Sequence, residues 1–403
     1  MDRALADGFE ISRLTRDFLD DPFPTYHALR RHAPVKTMAD GSVFLTRYAD
    51  VTEVYHDAAR YSSDKTVDFR PAMGETPLYE HHTTSLVFND APYHTRVRKR
   101  LMPAFTPRAL RALQPRVEAV VDAMLDDIAE RGCCDLIRDL ASALPVELIG
   151  DMLGIPRPER APLRGWSLAI LSGLEPRPTP GQVADGSDAV DEFKDYLRSL
   201  VARRVRDAGD DDAEVLSKLI GPDADGEALS ELELLHNCIF LLNAGHETTT
   251  NLIGNGVEAL LRFPGEMQRL RENPGLIGTA VEEFLRFESS NQIGNRRLAV
   301  DAALGGATLA AGTYVHLSIG AANRDPAEFP DPDRLDVSRT PNRHLAFGAG
   351  VHACAGMSLA RMEGRVAIGK LLARFPSIEL AGKPERGGRA RFRGFTALPL
   401  ALR

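Results

Sequence analysis

The chain has 403 residues and a formal net charge of −8. This length suits about two or three ordinary domains or one large domain, and the acidic balance argues against a nucleic-acid partner. The 4 cysteines form no disulfide framework, which suits a reducing cytoplasm. The first 30 residues carry charges throughout and lack a continuous apolar segment, so we expect a cytoplasmic protein without signal peptide or membrane anchor.

The N-terminal region alternates short elements with one long loop. Apolar spacing predicts a helix over 22–35, a strand over 42–45 and a helix over 51–55. Between 66 and 86 the pattern dissolves into Pro, Gly, Thr and His, which predicts an irregular segment. Such a loop is a functional lid or a mobile segment, and a merely solvated loop is the alternative.

A basic helix comes next, followed by helical scaffold. Arginines and lysine crowd residues 96–100, and a charge run of this kind is usually a solvated face. Helical spacing runs over 110–171, with breaks near Gly132 and Pro156. The Pro- and Gly-rich stretch 174–186 is predicted not to be helical, and a helix over 189–205 leads into an acidic loop, 207–212.

The longest helical pattern begins at Ser230, which forms a capping box with Glu233, and ends at Pro264. It is apolar on nearly every face, as expected of a buried central helix. Its middle, 243–250, reads NAGHETTT, and these residues favour buried helix poorly. Threonine can bond back to a carbonyl and bend the helix. The pattern therefore indicates either a locally kinked helix or a functional site.

The C-terminal third contains a cysteine in a glycine-rich turn, FGAGVHACAG over 347–356, followed by a helical pattern. Glycines let amides approach another atom closely, and a helix start supplies free N–H groups and positive charge. Both favour the thiolate of Cys354. The alternative is a buried free cysteine. Strands are predicted over 308–315 and 392–400.

This ten-residue pattern is the signature of the cytochrome P450 family, which the chain resembles from about residue 17 to its end. The resemblance implies a mainly α fold with a smaller β region. It implies one haem domain over 1–403 without a fused reductase, and haem b between the central helix and the cysteine loop. By this resemblance Cys354 is the iron ligand, with Phe347 and Gly348 beside the haem.

The resemblance also assigns the remaining haem and oxygen contacts. His94 and Arg98 match propionate ligands, as do His344 and Arg296, although the adjacent Arg297 leaves that last match open. On the central helix the family pattern gives Ala244 and Gly245 as room for O2, Glu247 as proton relay and Thr248 as the hydrogen-bond donor to oxygen. His246 is a neighbour. The structural network of the family matches Glu283, Arg286 and Arg334.

The chain departs from many relatives after the Glu283 helix. Where those have Ser-Pro-Val, it has Ser289, Ser290 and Asn291. The resemblance implies that this segment lies along the haem edge, where a buried amide must find a partner, so Asn291 and Gln292 are predicted to line the substrate pocket. The substrate would then carry a polar or carboxylate group near its reacting carbon. The alternative is a bond from the amide to backbone in a changed loop.

The resemblance implies a monooxygenase that inserts one oxygen atom of O2 into a C–H bond of a small organic molecule. Electrons would come from a separate ferredoxin and ferredoxin reductase, and Arg96, Lys99 and Arg100 could form a basic patch for an acidic donor; ordinary solubility explains them equally well. The alternatives are a haem-thiolate peroxygenase, an oxidative coupling enzyme, or a non-catalytic haem module that recruits a partner. Neither nucleic acid nor membrane is an expected partner.

Overall fold

The computed structural model describes residues 2–206, 215–222 and 226–403; the acidic loop predicted over 207–212 lies outside them. The chain forms two compact units. The first comprises residues 2–63, Val121–Ala141 and Thr248–Arg403. The second comprises the described residues of Asp64–Val120 and Ser142–Glu247. The single haem domain stays a prediction.

Helices dominate the described residues. They are Asp2–Gly8 (α1), Arg16–Asp20 (α2), Phe23–His32 (α3), Tyr48–His56 (α4), Thr66–Met73 (α5), Pro77–Thr84 (α6), Tyr93–Leu101 (α7), Pro107–Arg131 (α8), Ala143–Met152 (α9), Leu163–Ser172 (α10), Pro180–Arg206 (α11), Val215–Ile220 (α12), Glu231–Arg262 (α13), Pro264–Glu272 (α14), Ile277–Phe287 (α15), Ile319–Ala322 (α16) and Met357–Arg374 (α17).

The strands are short. They are Val35–Thr37 (β1), Val43–Leu45 (β2), Tyr61–Ser62 (β3), Cys133–Asp135 (β4), Ile293–Leu298 (β5), Ala302–Leu304 (β6), Ala307–Leu309 (β7), Tyr314–Ser318 (β8), Ile378–Leu380 (β9), Glu385–Arg386 (β10), Phe395–Ala397 (β11) and Pro399–Leu402 (β12). In the first unit β1, β2, β8, β5 and β3 form one sheet in that order, with β2 parallel to β8 and the other neighbours antiparallel.

The central helix α13 has the limits that the sequence predicts. The Ser230 amide donates to Glu233 Oε2 at 2.9 Å, and the Glu233 amide donates back to Ser230 Oγ at 3.3 Å, so the predicted capping box is present. The helix ends at Arg262, two residues before Pro264, because proline cannot continue the hydrogen-bond ladder.

Two stretches predicted to be irregular contain helices. Within 66–86, α5 and α6 are separated by Gly74 at a φ of +63°, and Thr76 Oγ1 caps α6 by accepting from the Tyr79 amide. Within 174–186, α11 starts at Pro180 because Thr179 and Gln182 cap each other's amides at 2.8 and 3.2 Å. The prediction for 66–86 was wrong, and the prediction for 174–186 was wrong only from Pro180 onward, because these helices begin at capping residues in stretches rich in proline and glycine.

Strands are present in both stretches predicted to be β, but their bounds and pairing differ from the prediction. The strand predicted over 308–315 is two strands, β7 and β8, which belong to different sheets. The stretch over 392–400 contains β11 and the first half of β12. The strand β4 was not predicted, since adjacent cysteines carry no period-2 pattern.

Among the described residues, none of the helices combines the length and hydropathy needed to cross a bilayer.

The ion-pair network of the first unit centres on α15. Glu283 and Arg286 are fully buried and joined by two 2.8 Å bonds. The predicted third member, Arg334, is exposed and contributes only its carbonyl oxygen. Arg339 takes that place, with Nε 3.1 and 3.2 Å from the Glu283 carboxylate. A buried carboxylate needs every charged partner it can reach, and the loop brings Arg339 to it.

We expect Arg339→Ala to lower the free energy of unfolding by about 1–3 kcal/mol, because it removes charged hydrogen bonds from buried Glu283. The matched control Arg334→Ala should leave the urea midpoint unchanged, since only its backbone takes part. Equal losses in the two variants would contradict this assignment.

Candidate functional site

The cysteine loop of the first unit is built on Tyr55 of α4. Gly350 has a φ of +68°, and a Cβ there would lie 2.1 Å from the Tyr55 carbonyl oxygen. Gly348 also has a positive φ, +63°, but its nearest contact would be an ordinary 3.7 Å. The Cys354 amide donates to the Phe347 carbonyl at 2.9 Å and closes the loop. The glycines therefore set how closely the loop lies on α4.

The loop presents an accessible apolar surface. Every residue from 346 to 357 is at least partly exposed, although the run is almost entirely apolar, and Val351 is 57% exposed. Cys354 is half-buried, and α17 begins at Met357, three residues later. The amides of that first turn have no partners within the helix. An accessible apolar face with a cysteine at a helix start suits a large apolar group bound through sulfur.

Two other cysteines, Cys134 and Cys238, are buried thiols. Burial raises the pKa of the Cys134 thiol to about 12, and burial alone does the same for Cys238. Both therefore stay protonated at neutral pH and are poor metal ligands.

Strand β5 separates the two candidate arginines. Arg296 and Arg297 are adjacent, so their side chains leave opposite faces of the sheet. The Arg296 guanidinium lies over the Tyr55 ring, 5.4 Å from its centroid, whereas Arg297 donates to the Gly312 carbonyl. Tyr55 is also the residue on which Gly350 rests. The geometry thus puts Arg296 on the side of the cysteine loop.

His344 has a different environment from the predicted one. Its Nε2 lies 3.1 Å from Glu282 Oε2, and its Nδ1 accepts from the Ala346 amide at 3.3 Å. Arg361 donates to the same carboxylate at 2.7 and 2.8 Å. Burial raises the pKa of Glu282, but the bonds from His344 and Arg361 outweigh it and bring that pKa to about 2. Both His344 nitrogens are thus taken by protein groups, which argues against the propionate role.

Phe347 packs among the residues of that cluster. Its ring centroid is 5.8 Å from that of His344, and Arg361 lies over its ring at 4.7 Å. His344 and Arg361 thus contact both the Glu282 carboxylate and the first residue of the cysteine loop.

The middle of α13 combines buried and accessible residues. Ala244 is exposed and Gly245 and Thr248 are partly exposed, whereas His246 and Glu247 are buried. The small residues Ala244 and Gly245 thus leave an accessible notch on the central helix. A Cβ on Gly245 would lie 2.9 Å from Ile149 Cδ1, so this glycine is also required for packing within the second unit.

The segment 289–291, where the chain departs from the family pattern, contacts the central helix α13. The Ser290 hydroxyl donates to the Thr248 carbonyl at 2.7 Å. That bond gives Thr248 an anchor which a proline at position 290 could not supply. We did not predict this role of Ser290, and its only sequence signal is the departure from the family pattern.

Asn291 and Gln292 differ from each other. Asn291 pairs with Phe392 in an isolated antiparallel bridge, and its Oδ1 is buried without a hydrogen-bond partner in the described part of the chain. Gln292 is 1% exposed and donates to the Ser289 carbonyl at 2.7 Å. A Cβ on Gly320 would lie 1.8 Å from Gln292 Oε1. Asn291 Oδ1 and Gln292 Oε1 are thus both buried acceptors without a hydrogen-bond partner in the described residues, but Gln292 is also packed closely against Gly320 within the first unit.

The basic helix α7 carries the other two predicted haem residues. His94 is buried and Arg98, one turn later, is partly buried, so they share a helix face. Arg96 pairs with Glu233, and Arg100 donates to several carbonyls, among them that of Lys218 at 3.1 Å. These partners within the second unit reduce the cations left for an electron-donor patch.

His246 is a structural residue. It lies 2.9 Å from Ser142 Oγ through Nε2 and 3.1 Å from Ser167 Oγ through Nδ1. Burial lowers the pKa of His246 to about 4, helped by Arg164. The neutral ring ties α13 to α9 and α10, as expected of a neighbour rather than a participant.

Known proteins share this architecture. A sequence profile described as "Cytochrome P450" matches residues 176–386, just over half of the chain. The Vitamin D(3) 25-hydroxylase of Pseudonocardia autotrophica is 42% identical over 372 residues, covering 90% of this chain and 89% of that protein. The chain belongs to the cytochrome P450 family. It is an oxidoreductase of the monooxygenase type, and the cofactor of the family is haem b.

Solved cytochrome P450 structures agree over almost the whole chain. The crystal structure of P450BioI in complex with an acyl carrier protein ligated to hexadec-9Z-enoic acid has a TM-score of 0.91 at 33% identity, covering 96% of this chain and 99% of that one. CYP109E1 from Bacillus megaterium, solved in complex with testosterone, has a TM-score of 0.87 at 30% identity, with coverage of 96% and 99%. The mainly α fold with small sheets is thereby confirmed.

The donor set fits this cofactor. A haem needs an axial sulfur, an apolar face and cations for its propionates. This cytochrome P450 has Cys354 in the accessible apolar loop, with Arg296 on the side of that loop, and it has His94 and Arg98 on one face of α7. Tyr55, which supports both Arg296 and the loop, was missed because nothing near it in sequence signals that contact.

We expect Gly350→Ala to reduce haem retention sharply, because its Cβ would meet the Tyr55 carbonyl and displace the loop. Gly348→Ala is the matched control, since it has the same left-handed backbone without the clash and should lose less. The measurement is haem content per protein after gel filtration. Greater loss in the Gly348 variant would contradict the role of the Tyr55 contact.

The buried His246 should make stability fall with acidity. In the folded protein its pKa is about 4, whereas in the unfolded chain it is protonated below about 6.5. Stability is therefore complete above pH 6.5 and falls by about 3 kcal/mol as the pH drops to 4. His246→Gln should flatten the pH profile of the urea midpoint over that window. The exposed His56→Gln is the control, and an identical profile for His246→Gln and the unaltered protein would refute the account.

Proposed function

We propose that this cytochrome P450 monooxygenase inserts one oxygen atom of O2 into a C–H bond of a small, largely apolar organic molecule. We propose further that a separate ferredoxin and its reductase supply the electrons. The observation that carries the proposal is the acid and alcohol pair, Glu247 and Thr248, beside the notch at Ala244 and Gly245. A peroxide-dependent enzyme has no need to manage protons for O2, so the intact pair favours O2 chemistry.

The haem residues in this proposal are one cysteine, two histidines and two arginines. Cys354 would ligate the iron, while Arg296, His94 and Arg98 would hold the propionates. His352 replaces His344 in this set, because it is the one titratable side chain besides Cys354 in the accessible run 346–357. When bound, the haem supplies the redox chemistry that activates O2.

The distal residues would hold and move protons. Thr248 is partly exposed and offers a hydroxyl at the notch, and its carbonyl is held by Ser290 Oγ. Glu247 is the adjacent carboxyl group, 5% exposed, and would pass protons to the Thr248 site. Burial of the Glu247 carboxyl group would keep the proton supply to Thr248 under the control of these two side chains.

Relatives support an apolar substrate class. The name of the 42% identical protein gives vitamin D3 as its substrate, and CYP109E1 was solved with testosterone. We propose molecules of this kind, apolar and of steroid size, as the first panel. The free Oδ1 of Asn291 supports a polar group on the substrate, and Gln292 is set aside because it is packed within the first unit.

The proposed proton role of Glu247 and Thr248 can be tested directly. Thr248→Ala should retain haem and substrate binding but divert most NADPH-derived electrons into hydrogen peroxide, because the hydroxyl that directs protons is lost. Product formed per NADPH is measured with ferredoxin and reductase supplied.

Thr249→Ala is the matched control, since Thr249 is buried beside the notch and should stay coupled. Unchanged coupling in Thr248→Ala would contradict the proton role. Full activity with peroxide alone would favour the peroxygenase alternative.

A further inference from the structure

The second unit contains a line of buried polar side chains between α6 and α13. Asn243 Nδ2 lies 3.3 Å from His81 Nε2, and His81 Nδ1 lies 3.3 Å from His236 Nδ1. His236 Nε2 lies 2.9 Å from Glu80 Oε1, which Lys194 also contacts at 3.1 Å. The three inner side chains are at most 3% exposed.

The hydrogen bonds of this line run in one direction. Since the Asn243 amide donates to Nε2 of His81, the His81 proton must be on Nδ1, which donates to His236. His236 then carries its proton on Nε2 and donates it to the Glu80 carboxylate. Both imidazoles are neutral in this arrangement, and Glu80 is the terminal acceptor. The line is therefore built to orient the Asn243 amide.

The inner end of the line has one acceptor left over. Asn243 Oδ1 is buried and has no hydrogen-bond partner among the described residues. An acceptor left in this state costs free energy, so some donor is expected to meet it. Asn243 directly precedes the exposed Ala244 and lies one helical turn before Glu247, on the same face of α13. The residue that carries the unused acceptor is thus next in sequence to Ala244, the first residue of the notch assigned to oxygen chemistry.

We propose that Asn243 determines substrate specificity by accepting a hydrogen bond from a hydroxyl or N–H group of a neutral, otherwise apolar substrate. This inference rests on the proposed function and names its substrate class. His81 and His236 would be positioning residues that hold the amide with Nδ2 toward His81, which leaves Oδ1 for the substrate.

The charge of the cluster argues against a carboxylate in this position. Burial holds the pKa of His81 well below its usual range, and the nearby His82, His236 and Lys194 lower it further. The imidazole therefore brings no positive charge to Asn243. A carboxylate would meet a carbonyl oxygen without a cation, whereas an alcohol would complete the line.

The test compares ligands that differ in one group, using the haem-loaded protein and isothermal titration calorimetry. The pairs are cholecalciferol with its 3-deoxy analogue and testosterone with its 17-deoxy analogue, and the third set is tetradecanol, tetradecane and myristate. We expect at least one alcohol to bind roughly tenfold or more tightly than its deoxy partner, and tetradecanol to bind more tightly than myristate.

The isosteric variant Asn243→Leu should abolish this preference while binding the deoxy compounds as well as before. His81→Phe, which keeps the acceptor but not its orientation, should reduce the preference only in part. Alcohols and deoxy partners that bind equally to the unaltered protein, or a preference that survives Asn243→Leu, would overturn the proposal. A normal spectrum of the reduced carbon monoxide complex in every variant separates this outcome from failure of the proposed function.

Discussion

The structure depends on the buried ion pair between Glu283 and Arg286. Arg286 donates to the carbonyls of Asn323 and Pro332 at 2.9 and 2.8 Å and so fixes a long segment that has little regular structure of its own. Asn323 in turn accepts from the Leu345 amide at 2.7 Å, two residues before the cysteine loop begins. A buried guanidinium is costly unless every donor is used, and this requirement makes the segment rigid enough to present a ligand.

Two kinds of local structure form the candidate site. Charged clusters and close glycine contacts fix the first unit: Glu282 holds the start of the cysteine loop, and Gly350 seats the loop on Tyr55. The central helix instead provides small and polar residues where helix propensity is poor. That cost in helix stability is accepted in many enzymes where chemistry needs space and protons. The buried side chains that end at Asn243 likewise place a polar group in the central helix, here for recognition of a substrate.

Features set by neighbouring residues could be predicted from sequence, and those set by distant contacts could not. The capping box at Ser230 fixed the start of α13, and the cysteine signature identified the family. The caps that start α6 and α11 were also legible, but proline and glycine content outweighed them. Arg339 could not be preferred to Arg334, because both lie in a loop without periodicity. Nothing in the sequence links Gly350 to Tyr55, almost 300 residues away.

The most direct measurement is the absorption spectrum of the dithionite-reduced protein under carbon monoxide, recorded for the unaltered chain, Cys354→Ser and Cys238→Ser. Ligation of iron by the Cys354 thiolate predicts a strongly red-shifted Soret band in the unaltered chain and in Cys238→Ser. The same account predicts that Cys354→Ser loses this band. An unshifted band in the unaltered chain, or a red-shifted band that survives Cys354→Ser, would contradict the site described above.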